Sequence, residues 1–224
     1  MGWMSEIAFP FGDQGLPGIW DEAPGAVATC VVAHGANNDM RHAFFTGVAA
    51  GLVGDGVSAL RFNFPYKARG RAYPDRPPIL LDAWRAALAE AVRRSNGRPV
   101  AASGKSLGGR MASMLGAEEG EDFEANALVF FGYPLHAPGR ADSPRVEHLP
   151  AVTVPMLFIE GTKDPLARFD LIEDLVRRLA PRAKLHVIEG GDHSFRVRGV
   201  KRPDREIGEE LGRVAAGFLR DGTG

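Results

Sequence analysis

The sequence predicts an α/β protein with a mostly parallel central sheet and helices on both faces. Two observations carry this. Short runs rich in Val, Ile and Phe alternate along the chain with amphipathic stretches of helical period, and strand–helix repetition builds parallel sheets. Most of these runs are also apolar at consecutive positions rather than at every second one, as in strands buried on both faces.

The predicted strands are Val27–Ala33, Val57–Phe64, Val100–Ser103, Ala127–Phe131, Met156–Glu160 and Lys184–Ile188. Helices are expected over 40–54, over 79–95 with Leu81, Trp84, Leu88 and Val92 on one face, and over 107–117. Two more are expected over 168–179, with Leu171, Leu175 and Leu179, and over 204–220, with Ile207, Leu211, Val214 and Phe218 on one stripe. The first 26 residues are punctuated by Gly and Pro and suggest one or two short edge strands. Two long connections, Lys67–Pro78 and Gly132–Val154, are expected to line a site, and neither is long enough for a full cap domain.

A chain of 224 residues with 45% hydrophobic content is expected to form one domain, 1–224, with a sizeable core. The formal charge of −1 argues against nucleic-acid and membrane-surface partners. The Arg-rich stretches Lys67–Arg76 and Arg196–Arg205 read as solvated loops, the first hinting weakly at anionic substrates. Cys30, the one cysteine, lies in an apolar run and reads as a buried small hydrophobe. No disulfide is possible within the chain, which fits a reducing, cytoplasmic setting. Met1–Pro10 has no basic region followed by an apolar stretch, and no apolar run reaches the roughly 18 residues a membrane span needs.

In open parallel sheets, ligands bind at the carboxyl ends of the strands. The strand Val100–Ser103 runs into Gly104-Lys105-Ser106-Leu107-Gly108-Gly109, a G-x-S-x-G pattern followed by a helical stretch. A serine on a tight strand-to-helix turn is pushed into the cleft, and glycines on either side let strand and helix pass closely. The start of the helix also aims free N–H groups and its positive dipole end at a reacting carbonyl. Gly104-Lys105-Ser106 could also end a phosphate-binding loop, but the first glycine of that pattern falls on Pro99, so no backbone wraps a phosphate there.

With this context the chain resembles the α/β-hydrolase superfamily over nearly its whole length. It is most similar to the small, capless dienelactone-hydrolase-like enzymes and to the testis-expressed protein 30-like predicted hydrolases. The segments that carry the resemblance are Val32-Ala33-His34-Gly35-Ala36, Arg61-Phe62-Asn63-Phe64-Pro65-Tyr66, Gly104-Lys105-Ser106-Leu107-Gly108-Gly109, Gly161-Thr162-Lys163-Asp164-Pro165 and Gly190-Gly191-Asp192-His193-Ser194-Phe195. The resemblance implies an α/β-hydrolase fold with minimal or no cap. Dienelactone hydrolase has a cysteine nucleophile where this chain has Ser106, which shifts the expectation from dienelactone chemistry to ordinary ester chemistry.

A serine hydroxyl needs a base beside it, and the base needs an orienting carboxylate. The chain order in this fold is nucleophile, acid, then histidine. His186 lies inside a strand, whereas His193 follows it in a glycine-rich loop and is the expected base. Asp164, at a turn after Met156–Glu160, is the expected acid, with Glu160 as runner-up; Asp192 is discounted because neighbouring side chains in a turn rarely face each other. The oxyanion is expected to meet the N–H of Leu107, and the resemblance places the second donor at Ala36. His34 reads as a structural hydrogen-bonding residue under that loop, and Tyr66, Tyr133, Leu135 and Phe195 are candidate pocket walls.

These residues together imply a serine hydrolase acting on a small ester-like molecule through an acyl-enzyme, with no metal and no organic cofactor. Thioester or amide cleavage would use the same residues. A non-catalytic scaffold of the same fold is the rival from another class, and it would not need to keep all three side chains.

Overall fold

The computed structural model describes residues 3–13 and 15–222. Eight strands form one sheet in the order β1-β2-β4-β3-β5-β6-β7-β8. The strands are β1 Trp3–Phe9, β2 Leu16–Glu22, β3 Ala28–Ala33, β4 Val57–Phe62, β5 Val100–Lys105, β6 Ala127–Phe131, β7 Met156–Gly161 and β8 Ala183–Ile188. From β4 to β8 every neighbouring pair is parallel. The expected N-terminal edge strands are β1 and β2, a hairpin joined antiparallel to β4.

The helices are α1 Ala43–Gly54, α2 Pro65–Ala68, α3 Pro77–Ser95, α4 Leu107–Glu119, α5 Phe169–Leu179 and α6 Asp204–Gly222. Each predicted helix is present, with ends displaced by a few residues. His42 caps α1, its ring nitrogen accepting the Phe44 N–H at 3.3 Å. Pro77 and Pro78 start α3, where a missing N–H costs nothing. The four-residue α2 was not expected from the sequence, and it cuts the predicted strand Val57–Phe64 back to Phe62.

Two hydrophobic layers flank the sheet. One packs α3, α4 and α5 on it through Trp84, Leu88, Met111, Leu115 and Ile172. The other packs α1 and α6 through Phe45, Val48, Leu52, Ile207 and Leu211. Of the stripe expected on α6, Val214 and Phe218 are only partly buried, and Ala215, Ala216 and Leu219 complete the core.

Helices α1 and α6 cross in backbone contact. A β-carbon on Gly47 or Gly51 would lie 2.1 or 2.2 Å from the carbonyl oxygens of Arg205 or Glu209. One on Gly208 or Gly212 would lie 2.1 or 2.3 Å from those of Phe44 or Val48. This crossing brings the start of α1 beside the start of α6, and both border the cavity described next. Among the described residues, no helix is long and apolar enough to cross a membrane.

Candidate active site

Ser106 stands between β5 and α4 with φ 51° and ψ −115°, the backbone of the first central residue of a type II′ turn. A non-glycine residue there costs on the order of 1–3 kcal/mol, which the surroundings must hold in place. The surroundings are tight. A β-carbon on Gly104 would lie 2.4 Å from the Gly109 nitrogen, and one on Gly108 would lie 2.7 Å from the Ala33 carbonyl oxygen. The Trp84 indole donates to the Gly108 carbonyl at 3.1 Å and ties α3 to the start of α4. Leu107 is the first residue of α4, so its N–H has no partner within the helix.

The loop after β3 packs against this turn. A β-carbon on Gly35 would lie 3.7 Å from the Ser106 β-carbon. The segment Arg61–Tyr66 fastens that loop from beneath. The Phe64 N–H donates to His34 Nε2 at 3.1 Å, and the Tyr66 hydroxyl donates to the Ala36 carbonyl at 2.8 Å. His34 in turn donates from Nδ1 to the Gly35 carbonyl at 2.8 Å. Burial pushes its pKa down to about 4, so the ring is neutral, as a structural hydrogen-bonding group requires.

His193 follows β8 in a loop organised by Asp192, whose Oδ1 accepts the N–H groups of Ser194 and Arg196 at 2.8 and 3.0 Å. Its Nδ1 donates to Asp164 Oδ2 at 2.6 Å, and Asp164 Oδ1 accepts the Leu166 N–H at 2.7 Å. The Asp164 side chain has no exposure, while 22% of that of His193 is open to solvent. Burial pushes the Asp164 carboxyl up, but hydrogen bonds from His193 and Glu160 outweigh it and hold the group below its ordinary range. The hydrogen bond at Nδ1 leaves Nε2 as the free ring nitrogen.

Two contacts bring His193 towards Ser106. The Ser106 N–H donates to the Phe131 carbonyl at 3.2 Å, and Gly132, the next residue, lies under the imidazole. Ser106 and His193 line one cavity of about 430 Å³. Among the described residues, no hydrogen bond joins their side chains. Ala36, Asn37, Phe44, Phe45 and Leu166 line the same cavity, with His42, Arg196 and Asp204 at its polar side.

The walls thus differ from the expected ones. Tyr66, Tyr133 and Leu135 are buried in the core and do not line the cavity. Phe195 is buried against Phe44, ring centroids 5.9 Å apart, and faces the neighbouring groove. Neither long connection contributes a lining residue. Arg71 and Arg69 of the first pair with Asp75 at 3.2 and 4.0 Å. The cavity is walled instead by the segment after β3, the start of α1 and the segment between His193 and α6.

A second serine–histidine contact lies elsewhere, Ser113 Oγ to His148 Nε2 at 2.8 Å. The Ser113 hydroxyl donates its proton to the Arg110 carbonyl at 2.9 Å, so it accepts from His148, the wrong direction for activation by a base. Neither residue lines the cavity. Cys30 is also out of reach of substrate: it is buried in β3, and burial pushes its thiol up to about 12. Among the described residues, no group of three or more His, Cys, Asp or Glu side chains could hold a metal.

This fold, with a strained serine at a strand-to-helix turn, defines a hydrolase of the α/β type. The family model described as "Alpha/beta hydrolase domain" matches residues 26–219, and the chain belongs to that family. Among solved structures it is similar to a dienelactone hydrolase from Anabaena variabilis, with TM-score 0.76 and 21% identity over 100% of this chain and 99% of that one. It is similar to an α/β serine hydrolase without a lid from Xanthomonas campestris, with TM-score 0.74 and 18% identity over 97% and 94% of the two chains. The esterase domain of a Rhodothermus marinus protein matches with TM-score 0.74 and 16% identity over 99% and 100%.

Proposed function

We propose that this chain is a serine hydrolase that cleaves small carboxylic esters through an acyl-enzyme on Ser106. The observation that carries the reading is the 2.6 Å bond from His193 Nδ1 to the buried Asp164 side chain, which leaves Nε2 as the free ring nitrogen of a residue that shares its cavity with the strained Ser106. Base-to-nucleophile bonds are often long in unliganded sites and tighten around substrate.

In the proposed sequence His193 Nε2 takes the Ser106 proton as the hydroxyl oxygen attacks the ester carbonyl. The N–H groups of Leu107 and Ala36 hold the oxyanion, and Asp164 stabilises the imidazolium. His193 then protonates the leaving alcohol, and a water molecule repeats the cycle to release the acid. A cavity of about 430 Å³ walled by Phe44, Phe45 and Leu166 suits a small, partly apolar acyl or alkoxy group. The same groups would serve a thioester, so substrate preference is read by kcat/KM.

The test is labelling by a fluorophosphonate probe together with hydrolysis of a panel of p-nitrophenyl esters. Wild type is expected to label and to prefer short acyl chains. Ser106→Ala is expected to lose labelling and several orders of magnitude in kcat. Labelling that persists in Ser106→Ala, or nitrophenyl acetate turnover at the wild-type rate, overturns the assignment.

A further inference from the structure

Behind His193 two carboxyl groups meet. Glu160, at the end of β7, is completely buried. Its Oε2 accepts the Tyr133 N–H at 2.8 Å. Its Oε1 is buried and meets no N–H or hydroxyl donor among the described residues. The turn after β7 folds Asp164 back beside Glu160, the Asp164 N–H donating to the Gly161 carbonyl at 3.1 Å, and the two carboxyl groups act on each other electrostatically. Two ionised carboxylates only accept, so a hydrogen bond between them requires a proton on one.

The surroundings decide which one. Asp164 receives N–H donors on both oxygens, from Leu166 and His193. Glu160 receives one, on Oε2, and its other oxygen has no donor among the described residues. The cation facing the pair is Lys105, which also feels Asp192 and Asp204 and is itself buried. Burial, then the neighbouring Asp164, pushes the Glu160 carboxyl well above its ordinary range.

We propose that Glu160 is a positioning residue that carries a proton on Oε1 at neutral pH and donates it to Asp164. The donated bond fixes the rotamer of Asp164 and so the tilt of the His193 ring. The neutral acid also keeps the buried ledger at one carboxylate, Asp164, facing one ammonium, Lys105. This deepens the acyl-enzyme reading and rests on it for its kinetic part only.

Glu160→Gln and Glu160→Met separate the alternatives. A glutamine amide offers a carbonyl to the Tyr133 N–H and an NH₂ to Asp164, the same pattern as the protonated acid. It is expected to keep kcat within about threefold of wild type. Methionine has neither group and is expected to lower kcat by about 10- to 100-fold, with a smaller change in KM. The direct readout is the infrared difference spectrum of wild type minus Glu160→Gln, taken in the Ser106→Ala background as well. A protonated-carboxyl C=O stretch at pH 7, absent from the glutamine variant, is expected in both backgrounds. A missing band overturns the proposal whatever the kinetics show. So does a folded Glu160→Gln as impaired as Glu160→Met. Because the band needs no turnover, it still decides the proton's place if Ser106 is not the nucleophile.

Discussion

The buried ammonium of Lys105 donates to the backbone carbonyl of His193. It thereby clasps the residue before Ser106 to the loop that carries the imidazole. The ammonium also lies 4.9 Å from the centre of the Phe195 ring and 5.8 Å from that of Phe44, within reach of a cation–π attraction. Lys105→Met keeps the apolar stem and removes the donor. It is expected to lower kcat by about tenfold, the scale of one charged hydrogen bond, while KM changes less. Burial lowers the Lys105 pKa to about 8, so the clasp is charged below that pH and neutral above it. Wild-type kcat should therefore decline above about pH 8, and Lys105→Met should lack this limb. Coincident basic limbs in the two proteins refute the assignment.

Gly132 packs against both the imidazole and the ammonium. It has φ 68°, and a β-carbon there would lie 3.4 Å from His193 Nδ1 and Cε1 and 3.3 Å from Lys105 Nζ. Gly132→Ala is expected to cost about 1–3 kcal/mol from backbone strain and to tilt the His193 ring. Urea denaturation measures the first effect. The second should show as a kcat loss larger than the KM change, and unaltered kcat in a destabilised protein would show that the ring position does not depend on this glycine.

The sheet was readable because most of its parallel strands hold apolar residues at consecutive positions. Ala127–Phe131 is buried throughout, and its ends agree to the residue. The hairpin β1–β2 was only dimly visible because β1 is exposed from Trp3 to Glu6 and fully buries only Phe9. At the site, Ser106, Asp164 and His193 stood out because each is a polar residue in the turn or loop that follows a strand, with glycine or proline close by. Tyr66, Tyr133 and Leu135 were misplaced because a position shortly after a strand does not fix which way a side chain points. Phe44, Phe45 and Asp204 went unseen because they reach the cavity through the α1–α6 crossing. The sequence signal for that crossing is the paired small-residue spacing, Gly47 with Gly51 and Gly208 with Gly212, which lets two backbones touch.

That crossing makes its own prediction. Gly212→Val would place a branched side chain where even a β-carbon lies 2.3 Å from the Val48 carbonyl oxygen. The helices must separate, so the loss is expected at or above the upper end of overpacking, about 3 kcal/mol. The cavity should widen with them, because Phe44 and Asp204 sit at the two helix starts. Gly217→Val is the control, since a β-carbon there meets nothing within 4 Å. Equal urea midpoints for the two variants would disprove the tight crossing.

Acid should loosen the segment beneath the nucleophile before it reaches the bulk of the carboxylates. His34 is fully buried and neutral, with burial lowering its pKa from 6.5 to about 4. Between those two pH values the unfolded chain binds a proton at this position and the folded chain does not, so stability must fall as pH drops through the interval. The contribution is complete above pH 6.5 and gone below about pH 4. It amounts to about 3 kcal/mol. His34→Gln removes the titrating group. It is expected to be less stable at pH 7, having lost the histidine's bonds to Phe64 and Gly35, and to lose about 3 kcal/mol less than wild type between pH 6.5 and 4. Carboxylates titrate alike in both proteins, so the difference between their urea-midpoint profiles isolates position 34. Parallel profiles would mean that His34 takes up its proton inside the folded protein, and the neutral imidazole under Ala36 would have to be abandoned.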